Sequence, residues 1–180
     1  PSRRAYRAGV PPADCKGGAL NGRYIYFNPR DDGETHHSRL LRYDTQGEFK
    51  EPASWEAHDA QFPHSGQGMA FDGQYLYFCP GYTKDADAPF ADDQLSGQIL
   101  RYDTRAPLKE PSSYAVFDAQ TVSERATCFD GALFDGRHVY FAPLTSGEVL
   151  RYDVGGAFAD PQSWETYDAR PQGMQMNVGL

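Results

Sequence analysis

The chain has 180 residues, enough for one ordinary domain with a sizeable core, and its formal charge of −8 with no basic stripe argues against nucleic acid as a partner. Aromatic residues make up 14% of it, and 18 Gly and 13 Pro supply turn signals, a mixture that points to short β-strands rather than helices. No apolar run is long enough to cross a membrane as a helix.

Residues 1–16 read as an N-terminal extension. The chain begins at Pro1 rather than Met, which reads as a processed or partial chain, and the compartment stays open, secretion or an organelle lumen included. From residue 17 the small-residue segment GGAL predicts a first strand, and NGRYIYFNP from Asn21 predicts a tight turn leading into a second. Asn-Gly is the turn signal here, because both residue types accept positive φ. The polar stretch RDDGETHHS from Arg30 separates that strand from a third, RLLRYD. Phe49, Pro52 and Ser54 mark a fixed turn, and Trp55 opens a fourth strand that ends at Asp59.

The same order returns twice. GQGMAF, DGQYLYFCP and QILRYD form the second unit up to Asp118, and DGALF, DGRHVYFAP and EVLRYD form the third up to Asp168. Each Arg-Tyr-Asp triplet, ending at Asp44, Asp103 or Asp153, precedes Pro52, Pro111 or Pro161 by the same eight residues. Phe49, Leu108 and Phe158 stand three residues before those prolines, as apolar anchors under the turn. The repeats are therefore assigned to 17–65, 66–127 and 128–169, with 170–180 opening a partial further unit. Four strands recurring about every 50 residues define an all-β chain of β-propeller-type blades, three complete and a fourth begun. Typical propellers close with about four to eight blades, so the chain reads as a fragment of a larger propeller or as one that closes its ring with another copy.

Phe134 to Pro143, followed by Val149 to Asp168, resembles a largely uncharacterised propeller-type repeat family of kelch-like layout. The resemblance spans most of the chain and implies architecture only, because the fold does not fix chemistry.

The repeated carboxylates invite comparison with the acid–base pair of a glycosidase. A catalytic pair is needed once, however, and these recur at every turn, so they are assigned to capping, with Arg42, Arg101 and Arg151 pairing with them across strands or blades. Cys15, Cys79 and Cys128 are an odd set without Cys-x-x-Cys spacing, which leaves buried thiols rather than a disulfide framework or zinc site. No catalytic motif, metal site or cofactor motif is found, and no cofactor is expected.

Function is expected where the units differ. The connection between the second and third strands is only LTSG in the last unit, but in the second unit it is an insertion carrying Tyr82, Asp85, Asp87, Phe90, Asp92, Asp93 and Leu95. Arg30, Asp31, His36 and His37 occupy the corresponding place in the first unit. Apolar groups among carboxylates suit a protein contact better than a calcium loop, whose Asp-x-Asp-x-Asp-Gly register is missing. The expectation is a non-enzymatic protein-interaction or assembly module, a subunit of a larger complex. The alternative is a carbohydrate-binding or carbohydrate-cleaving propeller, which would need Trp55, Tyr114 and Trp164 exposed rather than in the core.

Overall fold

A computed structural model describes residues 15–31, 37–62, 64–83 and 95–173, with the side chains of 64, 65 and 83 left aside. Twelve strands form three four-stranded antiparallel sheets in simple meander order, β1–β4, β5–β8 and β9–β12. The first sheet comprises β1 (Cys15–Leu20), β2 (Tyr24–Pro29), β3 (Arg39–Asp44) and β4 (Trp55–Asp59). The second comprises β5 (His64–Phe71), β6 (Tyr75–Thr83), β7 (Gln98–Asp103) and β8 (Tyr114–Asp118). The third comprises β9 (Phe129–Phe134), β10 (His138–Pro143), β11 (Glu148–Asp153) and β12 (Trp164–Asp168). The architecture is all-β and propeller-like. The continuation expected beyond residue 173 lies outside the described residues.

The turns follow from local chemistry. Gly22, Gly73 and Gly136 take φ of 97°, 104° and 103°, the left-handed region that disfavours any side chain. In front of them, Asn21, Asp72 and Asp135 each accept two backbone N–H bonds through Oδ1, from the residues two and three places on. Beside the same turns, where the third strand of each sheet ends, Asp44, Asp103 and Asp153 accept from the N–H groups of Gln46, Arg105 and Gly155. Asp59, Asp118 and Asp168 do the same for Gln61, Gln120 and Arg170 as the chain leaves each sheet. All six repeated carboxylates thus cap turns.

The arginine assignment needs correction. Arg42 and Arg151 bond Glu56 and Glu165 directly across the third and fourth strands, not the triplet carboxylates. The carboxylate of Asp44 is held by Arg23 and that of Asp153 by Arg137. Arg101 faces Ala115 and instead stacks on the rings of Tyr75 and Phe158, at 4.2 and 4.1 Å.

The innermost strands are β1, β5 and β9, and their small residues let backbones meet. A Cβ on Gly68 would stand 2.8 Å from the Gly131 Cα and 3.0 Å from the Asp130 carbonyl oxygen. Lys16 ties this centre together, reaching Gln67 at 2.8 Å and Asp130 at 2.5 Å.

Strand alternation gives each sheet two unlike faces. One, the leading face, carries Tyr26, Arg42 and Glu56 in the first sheet and Tyr77, Arg101 and Phe117 in the second. The other, the trailing face, carries Tyr102 and Tyr114 in the second sheet and Tyr152 and Trp164 in the third. Each leading face packs on the next trailing face. Tyr26 meets Tyr102 at 5.9 Å, Tyr77 meets Tyr152 at 5.8 Å, and Phe117 lies on Trp164 at 4.2 Å. The core therefore sits largely between sheets.

That arrangement explains a departure from sequence expectation. Leu108 and Phe158 are buried under their turns, but Phe49 is 64% exposed, because no described sheet precedes the first. At the repeated aromatic position Trp164 is buried, whereas Trp55 and Tyr114 are each half-buried. Among the thiols, Cys79 and Cys128 are buried as expected, but Cys15 is exposed on the first strand.

Candidate interaction site

The second and third strands of each sheet are joined along one edge of the array, where the variable connections emerge. In the second unit the base of the insertion is fixed. Tyr82 and Leu95 form an isolated antiparallel bridge, and the Ser96 N–H donates to the Gly81 carbonyl at 3.0 Å. A second layer supports this base from behind. The Cys128 N–H donates to the Ser96 carbonyl, and Tyr82 hydrogen-bonds the Cys128 thiol. Burial pushes that thiol up to about 11, so at neutral pH it stays protonated.

Tyr82 is thereby half-buried and turned toward the third sheet, whereas Leu95 is 42% exposed at the opposite foot of the insertion. Asp85, Asp87, Phe90, Asp92 and Asp93 lie outside the described residues.

In the first unit the His37 N–H closes the corresponding base on the Arg30 carbonyl at 3.1 Å, and Arg30 pairs with Asp31 at 3.2 Å. His36 lies outside the described residues. His37 is 1% exposed and does not fit a surface contact. Its Nδ1 accepts the Arg39 N–H, as the hydroxyls of Ser96 and Ser146 accept the N–H groups of Gln98 and Glu148. All three residues precede the third strand by two positions, so His37 stands where the other units place serine. Aligning HSRL with SGQI and SGEV exposes that role from sequence. The structure thus brings Tyr82 and Leu95 together, keeps Arg30 beside Asp31 at a separate loop base, and removes His37 from the surface set.

Sequence reasoning also passed over a concave surface. A cleft of about 640 Å³ opens between the second and third sheets, where Asp72, Gln74, Arg101 and Arg105 face Tyr152 and Phe158. Among the described residues Arg101 has no ion pair, because Ala115 replaces the glutamate of the other units; that substitution is the sequence signal. Arg101 is held by rings on both sides, which makes it part of the seam. Among the described residues no group of three or more His, Cys, Asp or Glu is placed to hold a metal, and no helix is long and apolar enough to cross a membrane.

No protein-family profile matches the chain, and no curated protein matches it. Among solved structures it is similar to a glutaminyl cyclase from Myxococcus xanthus, at 15% identity over 92% of this chain and 77% of that one, with a TM-score of 0.30. A likeness that low carries no argument about activity.

Proposed function

We propose that this chain is a non-enzymatic interaction or assembly module, in which kelch-like blades present the insertion of the second unit to a protein partner. The observation that supports it is the pinned base of that insertion. The Tyr82–Leu95 bridge, backed by Cys128, restricts the freedom of the two feet before any partner arrives, and ordering lost in advance is not charged to binding. An insertion that was merely tolerated would need no such support, since lengthening a surface loop costs little in closure entropy. The repeated carboxylates are engaged in turns, which weighs against a glycosidase pair. Trp164 is stacked under Phe117 in a seam and Tyr114 meets His58 and Phe62 of the first unit, which weighs against sugar sites repeated at this position.

The test replaces residues 81–97 with Leu-Thr-Ser-Gly, the connection of the third unit, which retains the Ser-Gly before the third strand. Affinity capture from the source extract, quantified against the unaltered chain, should lose a stoichiometric partner. An identical set of partners would remove the insertion from this role, and specific, saturable binding on a glycan array would favour the carbohydrate reading.

A further inference from the structure

One arginine of the repeat keeps its charge without a carboxylate. Arg42 and Arg151 are each neutralised by a glutamate directly across the third and fourth strands, Glu56 and Glu165, and Glu56 is shared with Lys109. Arg101 faces Ala115 at the same register, and among the described residues it has no ion pair. Its guanidinium packs on the rings of Tyr75 and Phe158 and donates to the Tyr152 hydroxyl, which itself donates to the Gly156 carbonyl at 2.9 Å. A guanidinium carries five N–H donors, so a neutral hydroxyl leaves most of them, and the whole charge, uncompensated.

Arg101 lines the cleft of about 640 Å³ between the second and third sheets, a volume in the range of small-molecule sites. Arg105 lines it too, exposed and likewise without an ion pair among the described residues. Two carboxylates stand at the same rim, and other donors engage both. Asp72 takes the N–H groups of Gln74 and Tyr75 on Oδ1 and the Tyr77 hydroxyl on Oδ2, and Asp103 takes the Arg105 N–H and the Gln74 amide. Their charge disfavours bringing more than one negative charge into the cleft. Tyr75 and Val154, each half-buried, add apolar lining.

We propose that this cleft binds a small monocarboxylate, whose carboxylate serves Arg101 as glutamate serves Arg42 and Arg151 and whose apolar part rests on Tyr75. Arg105 supplies the second cation. A carboxylate matches the planar guanidinium fork with two parallel N–H···O bonds, whereas a phosphate would bring a second charge toward Asp72. The cleft lies by the Asp72–Gln74 turn, at the strand ends opposite to the insertion that follows β6. The inference goes beyond the assembly reading, and either can fail alone.

Benzoate is the probe, titrated at low salt and neutral pH into the isotope-labelled full chain and followed by NMR at the Arg101 Nε–H and Tyr75 N–H signals. A saturable shift with a Kd of about 10 mM or tighter is expected. Benzyl alcohol, which lacks the charge, and phenyl phosphate, which adds one, should each bind about tenfold more weakly or worse. Ala115→Glu installs the pairing of the other two units, so it should keep the fold and weaken benzoate by about tenfold or more. Arg105→Ala, at an exposed side chain, should leave the fold intact and weaken it by about threefold. Acetyl-glutamate amide stands for a carboxylate carried by a protein side chain and should bind more weakly than benzoate; tighter binding overturns the small-ligand assignment in favour of an acidic partner segment. No saturable shift by about 50 mM benzoate overturns the proposal, as does benzyl alcohol binding equally well or a Kd that neither Ala115→Glu nor Arg105→Ala changes.

Discussion

Phe117 and Trp164 stack face to face across the seam between the second and third sheets, their ring centroids 4.2 Å apart and their planes 4° from parallel. Trp164 also donates its indole N–H to the Phe158 carbonyl at 2.9 Å, so one side chain joins the seam to the turn beneath it. Trp164→Ala should cost about 3 to 5 kcal/mol in urea unfolding. In a double-mutant cycle, Phe117→Ala and Trp164→Ala should couple by about 0.5 to 1.5 kcal/mol. Additive losses would show that the stacking itself contributes nothing beyond burial.

The same turn position is expected to behave differently at the outer face. Phe158→Ala removes a buried ring and should cost about 3 to 5 kcal/mol, whereas Phe49→Ala should stay within about 1 kcal/mol when unfolding is followed at concentrations where the chain is monomeric. Equal losses would mean that Phe49 is covered.

Gly68→Ala should destabilise the fold by about 1 to 3 kcal/mol, because its Cβ meets backbone that no rotamer change can clear. Gly131→Ala is the control, since nothing lies within 4 Å of the Cβ it would add. Thermal unfolding of the two variants side by side separates close approach from a general effect of adding a methyl group.

Acid should unfold the chain through its turns. The N–H groups of His138 and Arg137 hold Asp135 down to about 2, and hydrogen bonds from Arg23, Arg137 and Arg170 lower Asp44, Asp153 and Asp168. A carboxylate depressed in the fold contributes stability above its unfolded value of about 3.9 and loses it as pH falls through the folded value. The urea midpoint should therefore fall most steeply between about pH 4 and about 2. Asp135→Asn should make that fall shallower while preserving the turn, since Asn21 already fills the role in the first unit. An unchanged slope would show that Asp135 is not among the groups responsible.

Much of this was legible in sequence because turns are local. Asn21, Asp72 and Asp135 need only their own neighbours to set a hairpin, and identical spacing after Asp44, Asp103 and Asp153 declared the repeat. Exposure was not legible in that way. Phe49 and Phe158 are equivalent in sequence, yet one faces outward because burial depends on which sheet lies opposite, a long-range property. Arg42 was assigned to the wrong carboxylate because strand register, not chain distance, puts Glu56 opposite it. His37 departs from a surface role because its Nδ1 accepts the Arg39 N–H as serine hydroxyls do in the other units, an equivalence of acceptor that residue identity does not display.

The narrow approach of Gly68 to Gly131 near the centre, set against the aromatic rings that fill the seams, makes each sheet a wedge. The angle between neighbouring sheets is then a matter of side-chain volume, small toward the axis and large toward the rim. Enlarging the inner glycines would bring the sheets nearer to parallel and favour more of them per turn, and trimming the outer rings would act in the same direction. Residue size along the radius is thus a ruler for curvature, and the number of blades that closes a circle is written in the difference between glycine and tryptophan.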